Sequence, residues 1–346
     1  MQGPKGTHSS ILGPNQPLIR LACTASAACR VCAVPPMPTS RHREAIHKPR
    51  CDWGLQPQAG KVSGDRHVKS EPILLRRYRQ GLWLVDVAFS DVKRTFLFDT
   101  GAGITVLTPD LASQLKLSPF GRLTAHRQSG ERVDMPRVNI ASISAGDVIL
   151  HPRDVGVWDV NAQLPGNWPP LSGVLALNAF DGLVLRIDLS AERLVVEQHH
   201  EVTRSTPAMM EVPIRIGRSA AGAGLDVFLG ASTERGLIWL ELDSGNTGPT
   251  LIAPHAAEML GGRPGNAPVG CPGADGRMYA ETELVLGGQV VKCPVIVKEL
   301  MIDGNLGISF LETHIVIVDL QHTRGWIAPV QGSSSYCQDK LFSRRN

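Results

Sequence analysis

From residue 80 onward, apolar and polar positions alternate in short runs, and the runs come in a repeating order. Residues 82–89 and 95–98 read as strands joined by a polar turn at 90–93. Further strands are predicted at 138–140, 148–150, 155–158 and 194–196. In the second half, 225–229, 237–240, 283–286 and 295–297 play the same parts. Helical pattern is brief: Thr108-Pro109 and Ala253-Pro254 each open a short helix, with Pro suited to a first turn whose N–H groups have no partner anyway. Gly261 is the expected stop of the second helix. The pattern predicts an all-β body in two similar halves, linked by the polar segment 198–206.

The repeat includes chemistry. Thr95-Phe96-Leu97-Phe98 runs into Asp99-Thr100-Gly101-Ala102, and Ile238-Trp239-Leu240-Glu241-Leu242 runs into Asp243-Ser244-Gly245. One Asp-[Ser/Thr]-Gly is an ordinary turn, since Asp and Gly are both turn residues. Here the surroundings repeat as well. An apolar strand and a Pro-led helix follow each copy. Later, Ser172-Gly173-Val174-Leu175-Ala176 leads to Ile187-Asp188-Leu189, as Asp303-Gly304-Asn305-Leu306-Gly307 leads to Val318-Asp319-Leu320. Repetition of whole supersecondary units points to an internal duplication. Two carboxylates delivered by matching strand ends are what a proton-sharing acid/base pair needs.

On these motifs the chain resembles the aspartyl proteases of the retropepsin and pepsin clan, with both lobes in one polypeptide, over about residues 80–328. The marks are Phe98-Asp99-Thr100-Gly101-Ala102, Asp243-Ser244-Gly245, and an apolar-apolar-Gly segment late in each half. Leu306-Gly307 fits the last of these, whereas Val174-Leu175-Ala176 has Ala where the family has Gly. The resemblance implies two homologous β-barrel-like lobes around a central cleft, at 71–200 and 206–330, flanked by a leader (1–70) and a tail (331–346). It further implies a polypeptide substrate, a dyad of Asp99 and Asp243, and hydroxyls of Thr100 and Ser244 that bond across the lobe interface. Gly101 and Gly245 would let backbone N–H groups approach the carboxylates. No metal or cofactor is implied. With both carboxylates on one chain, a monomer is expected.

Composition narrows the alternatives. The net charge of +3 is misleading, because 13 of the 35 Lys/Arg but only 4 of the 32 Asp/Glu lie in the first 80 residues. The remainder is acidic and lacks the basic, aromatic-interleaved surface of a nucleic-acid protein. No run approaches the roughly 18 apolar residues of a membrane span. The leader is rich in Pro, Gly and Ser, and its apolar stretch at 18–23 is broken by Arg20, too short for a secretory signal. It reads as disordered, with a degraded export signal, a transit-like leader or sequence upstream of the true start left open, and the compartment with them. Cys29-Arg30-Val31-Cys32 matches no standard zinc-finger spacing. Cys271 and Cys293 can pair across a hairpin or stay as thiols.

Each half should also hold a hairpin able to fold over substrate, with turns at 127–131 and 272–276. No Tyr lies between Asp99 and Gly173, unlike pepsin-like flaps. Glu241 stands two residues before Asp243, where the first motif has Leu97, and is expected to point to solvent where the strand bends. Gly-x-Ser-x-Gly, His-Glu-x-x-His and phosphate-loop motifs are missing from the chain. The expected activity is aspartic endopeptidase. The alternative is a peptide-binding or scaffold protein that keeps the fold without turnover, and Ser244, Ala176 and Glu241 are the departures that support it.

Overall fold

The computed structural model describes residues 70–261, 271–272 and 278–332. The leader up to residue 69, the leader cysteines, residues 273–276 of the second flap turn expected at 272–276, and the tail from 333 lie outside the described residues. Strands make up 45 % of the described residues and helices are few, so the fold is all-β.

Each half is organised around the same four strands. In the first, Trp83–Phe89 runs antiparallel to Val92–Phe98. The latter lies parallel to Gly173–Leu175, which is antiparallel to Val106–Leu107. In the second, Asp226–Thr233 pairs antiparallel with Gly236–Leu242. That strand lies parallel to Gly304–Leu306, which is antiparallel to Thr250–Ile252. The central strands Val92–Phe98 and Gly236–Leu242 are therefore flanked on both edges, which explains their apolar C-terminal ends. Phe96, Leu97 and Phe98 are fully buried, as are Leu240 and Leu242.

Local signals account for the connections. The polar turn in the first hairpin is tighter than expected: Phe89 faces Val92 across a two-residue loop, with Ser90 at φ 51°. The helix Pro109–Gln114 is capped by Thr108, whose Oγ1 accepts the Leu111 N–H at 3.3 Å. Its counterpart Pro254–Met259 ends at Gly261, at φ 76°, as the sequence suggests. The linker is not irregular throughout. Its polar residues form the short helical segments His199–Glu201 and Val202–Ser205.

The halves are joined by a shared sheet. Its strand order is Ile73–Arg77, Arg193–Glu197, Val184–Asp188, His314–Asp319, Arg324–Pro329, Met210–Val212. First-half and second-half strands meet at Val184–Asp188 against His314–Asp319, where Ile187 faces Val316 and Leu185 faces Val318. All four side chains are fully buried. No helix among the described residues is long and apolar enough to cross a membrane.

Cys293 is a buried free thiol, and the side chain of Cys271, its candidate partner, lies outside the described residues. Burial pushes the Cys293 thiol up to about 12, outweighing the hydrogen bond with Thr250 that acts the other way. Alkylation of the native protein near pH 8, mapped by mass spectrometry, should leave Cys293 unmodified until denaturant is added. Labelling at the rate of an unfolded cysteine would show that this strand opens readily.

Candidate active site

Asp99 and Asp243 follow the C-terminal ends of the two central strands, and the parallel neighbour anchors each. The Asp99 N–H donates to Leu175 O at 3.1 Å and the Asp243 N–H to Leu306 O at 2.9 Å. Asp99, Thr100, Asp243 and Ser244 are all fully buried. Each carboxylate accepts from its own loop: Gly101 N–H reaches Asp99 Oδ1 and Gly245 N–H reaches Asp243 Oδ1, both at 3.0 Å. Each also abuts the loop of the other half. A Cβ on Gly101 would lie 2.5 Å from Asp243 Oδ1, and one on Gly245 2.5 Å from Asp99 Oδ2. Only glycine lets the loops approach this closely.

Four hydrogen bonds interlock the loops. Thr100 Oγ1 donates to Leu242 O at 2.8 Å and accepts from Ser244 N–H at 2.9 Å. Ser244 Oγ donates to Phe98 O at 3.1 Å and accepts from Thr100 N–H at 3.0 Å. Thr and Ser are interchangeable here because only the hydroxyl is used. The structure thus brings together all six residues singled out from the sequence.

Around this symmetric centre the halves differ. Opposite Leu97, the first half has Val174; opposite Glu241, the second has Asn305. An apolar pair on one side is replaced by a polar pair on the other, and all four side chains are fully buried. The expectation that Glu241 points to solvent is therefore wrong. Gly236–Leu242 does not bend outward at this point, because it is held between Phe228 on one neighbour and Asn305 on the other. Asn305 Nδ2 donates to Asp243 Oδ2 at 2.5 Å, and its Oδ1 accepts from Asn246 Nδ2 at 2.6 Å. Asn246 is itself oriented by backbone, donating to Pro249 O at 3.0 Å and accepting from Gly248 N–H at 2.9 Å. Since a carbonyl only accepts and an N–H only donates, this chain determines which end of the Asn305 amide faces Asp243.

Ala176, the other departure, is accommodated. It is fully buried, and its N–H donates to Thr105 Oγ1 at 3.2 Å. Gly307 has no such freedom, because a Cβ there would come within 2.5 Å of Asn246 O.

The first flap forms where the sequence places it. Strands Arg122–His126 and Arg132–Val138 form a hairpin around residues 127–131. Its tip crosses to the second half: Met301 N–H donates to Gln128 O at 3.0 Å. The Gln128 side chain is 3 % exposed, with Nε2 at 3.4 Å from Asp243 Oδ2 and Oε1 without a hydrogen-bond partner among the described residues. Sequence reasoning identified the turn but not the inward glutamine, for which no local signal exists. Of the second flap, the described backbone pairs Cys271 with Tyr279 and Pro272 with Met278, and its turn lies outside the described residues.

Residues 85–175 match the family model described as aspartyl protease. This match supports the retropepsin- and pepsin-like kinship read from the motifs. Among solved structures, the chain is similar to the aspartic proteinase from Irpex lacteus. That likeness has 14 % identity and a TM-score of 0.46, and covers 77 % of this chain and 99 % of that one. No curated protein matches the chain.

The interlock gives a direct expectation. Ser244→Ala leaves the Thr100 N–H and Phe98 O without their partner in a dry interface, at a cost of about 1–3 kcal/mol per buried unsatisfied group. Denaturant unfolding should show that loss for Ser244→Ala, whereas Ser244→Thr, which keeps the hydroxyl, should stay much closer to the parent. Equal stability of the two variants would contradict this account.

Proposed function

We propose that this protein is an aspartic-type endopeptidase, with lobes at 71–200 and 206–330 that arose by internal duplication. In this reading Asp99 and Asp243 activate a water that attacks the scissile peptide carbonyl. The observation that carries it is the reciprocal approach of the two carboxylates, each against the glycine of the opposite loop, locked by the Thr100–Ser244 hydrogen bonds. Carboxylates held this way share one proton and titrate as a pair. Both come from one chain, so a single copy suffices.

The surroundings support a division of labour. Both oxygens of Asp243 accept: Oδ1 from Gly245 N–H, Oδ2 from the amides of Asn305 and Gln128. Donors aimed at both oxygens favour the ionised form. The counterpart of Asn305 beside Asp99 is Val174, whose side chain has no donor. Asp243 is then the base that takes a proton from water, and Asp99 holds the resident proton and gives it to the carbonyl oxygen. Gln128 Oε1, buried at the flap tip, is positioned to accept from a substrate amide.

The alternative, peptide binding without turnover, is favoured by one observation: Gln128 lies directly on Asp243, as a latch that substrate must displace. Inhibition of protein cleavage by a statine-type transition-state mimic separates the two readings.

Asp99→Asn and Asp243→Asn should each abolish hydrolysis of a denatured protein substrate with the fold intact by circular dichroism, because the pair acts as one unit. Near-full activity of either variant would sink the mechanism.

The pH profile should be bell-shaped, and its acidic limb reports ionisation of Asp243. Asn305→Val removes a donor to the carboxylate, so that limb should move toward neutral pH. The alkaline limb, which reports the Asp99 proton, should move little. Glu241 is buried in the same strand two residues away, so Glu241→Gln, which removes a carboxyl from beside the pair, should displace the profile toward acid. Unchanged profiles for both variants would remove the assigned acid and base roles.

A further inference from the structure

A second cluster of ligating side chains lies where the linker meets the shared sheet. His199 opens the linker segment His199–Glu201, Asp319 ends the strand His314–Asp319, and His322 sits in the turn before Arg324–Pro329. Asp319 Oδ2 lies 2.9 Å from His322 Nδ1 and 3.4 Å from His199 Nδ1. One ligand atom from each of the three residues lies within 4.8 Å of the other two. A tetrahedral ion with bonds of about 2.0–2.1 Å sets its ligand atoms roughly 3.4 Å apart. Two of the three edges are already near that spacing.

The first half supplies a control for this arrangement. Asp188-Leu189-Ser190-Ala191-Glu192-Arg193 and Asp319-Leu320-Gln321-His322-Thr323-Arg324 form the same turn. In each, the Asp Oδ1 accepts an N–H three residues on, from Ala191 at 3.1 Å and from His322 at 3.0 Å. Glu192 and Thr323 take matching positive φ values of 54° and 56°. The outer oxygens differ. Asp188 Oδ2 faces the Arg193 guanidinium at 3.5 Å. Arg324 is turned instead onto Glu211, at 2.9 and 3.0 Å. Asp319 Oδ2 has exchanged its arginine for two imidazoles, which are cation ligands rather than fixed cations.

We infer that His199, Asp319 and His322 form a binding site for a divalent transition-metal ion of zinc's class. Two imidazoles and one carboxylate suit such ions better than magnesium or calcium. With side chains 38 % and 53 % exposed, His199 and His322 admit the ion from solvent and leave a coordination position for water. The ion would tie the linker to the turn between the last two strands of the shared sheet, a structural clip with no part in hydrolysis.

The test uses the full chain, stripped of metal and titrated with zinc chloride by calorimetry. The leader cysteines can bind zinc on their own account, so the readout is the difference between proteins. His199→Ala/His322→Ala should bind one equivalent fewer than the parent and should lose the parent's zinc-dependent rise in Tm. Each single variant should weaken that equivalent at least tenfold, and millimolar magnesium should not displace it. Asp99→Asn/Asp243→Asn should bind as the parent does, which separates this proposal from the proteolytic reading. If the double histidine variant misfolds, zinc should still shield His199 and His322 of the parent from diethylpyrocarbonate. Equal stoichiometry in parent and double variant, zinc taken up only at millimolar concentration, or no shielding would each overturn the site.

Discussion

The exchange of hydrogen bonds between Thr100 and Ser244 is the constraint on which the rest of the site depends. Each hydroxyl serves at once as donor to a carbonyl and acceptor from an N–H of the opposite loop, so neither loop is satisfied without the other. Because the bonds are buried, water does not replace them, and breaking the interlock leaves six polar groups, two N–H, two hydroxyls and two carbonyls, without their partners. This lets two carboxylates be held side by side without their repulsion driving the strand ends apart. The glycines follow from the same constraint, since any side chain at 101 or 245 would fill the space the facing carboxylate occupies.

Symmetry ends one layer out. Substituting Glu241 and Asn305 for the Leu97 and Val174 pair places amide and carboxylate groups behind one aspartate and hydrocarbon behind the other. Two identical lobes would give two equivalent carboxylates. The orientation of Asn305 traces back through Asn246 to the Pro249 carbonyl and the Gly248 N–H, so the donor presented to Asp243 is fixed by backbone geometry.

Much of the framework was legible because it rests on short-range rules. Alternation marked the strands, Pro and Gly the helix ends, and the paired Asp-[Ser/Thr]-Gly loops the six central residues. What escaped depends on partners distant in sequence. Glu241 reads as a solvent residue by its type, and only its two strand neighbours show that it is inside. Asn305 and Gln128 have no local signal, because their meaning comes from a carboxylate 62 and 115 residues away. The linker reads only as polar, and its helical turns are held by local bonds, Glu201 N–H to Gln198 O and Thr206 N–H to Val202 O, that its composition does not announce.

The shared sheet has a bearing on how the chain is made. Val184–Asp188 is complete on one edge as soon as Arg193–Glu197 emerges, but its other edge waits for His314–Asp319, more than a hundred residues later in synthesis. Until then the first half carries an apolar, unpaired strand edge of the kind that recruits other chains. The fold thus leaves one apolar edge of the first half to be covered only by the last strands of the chain to be made.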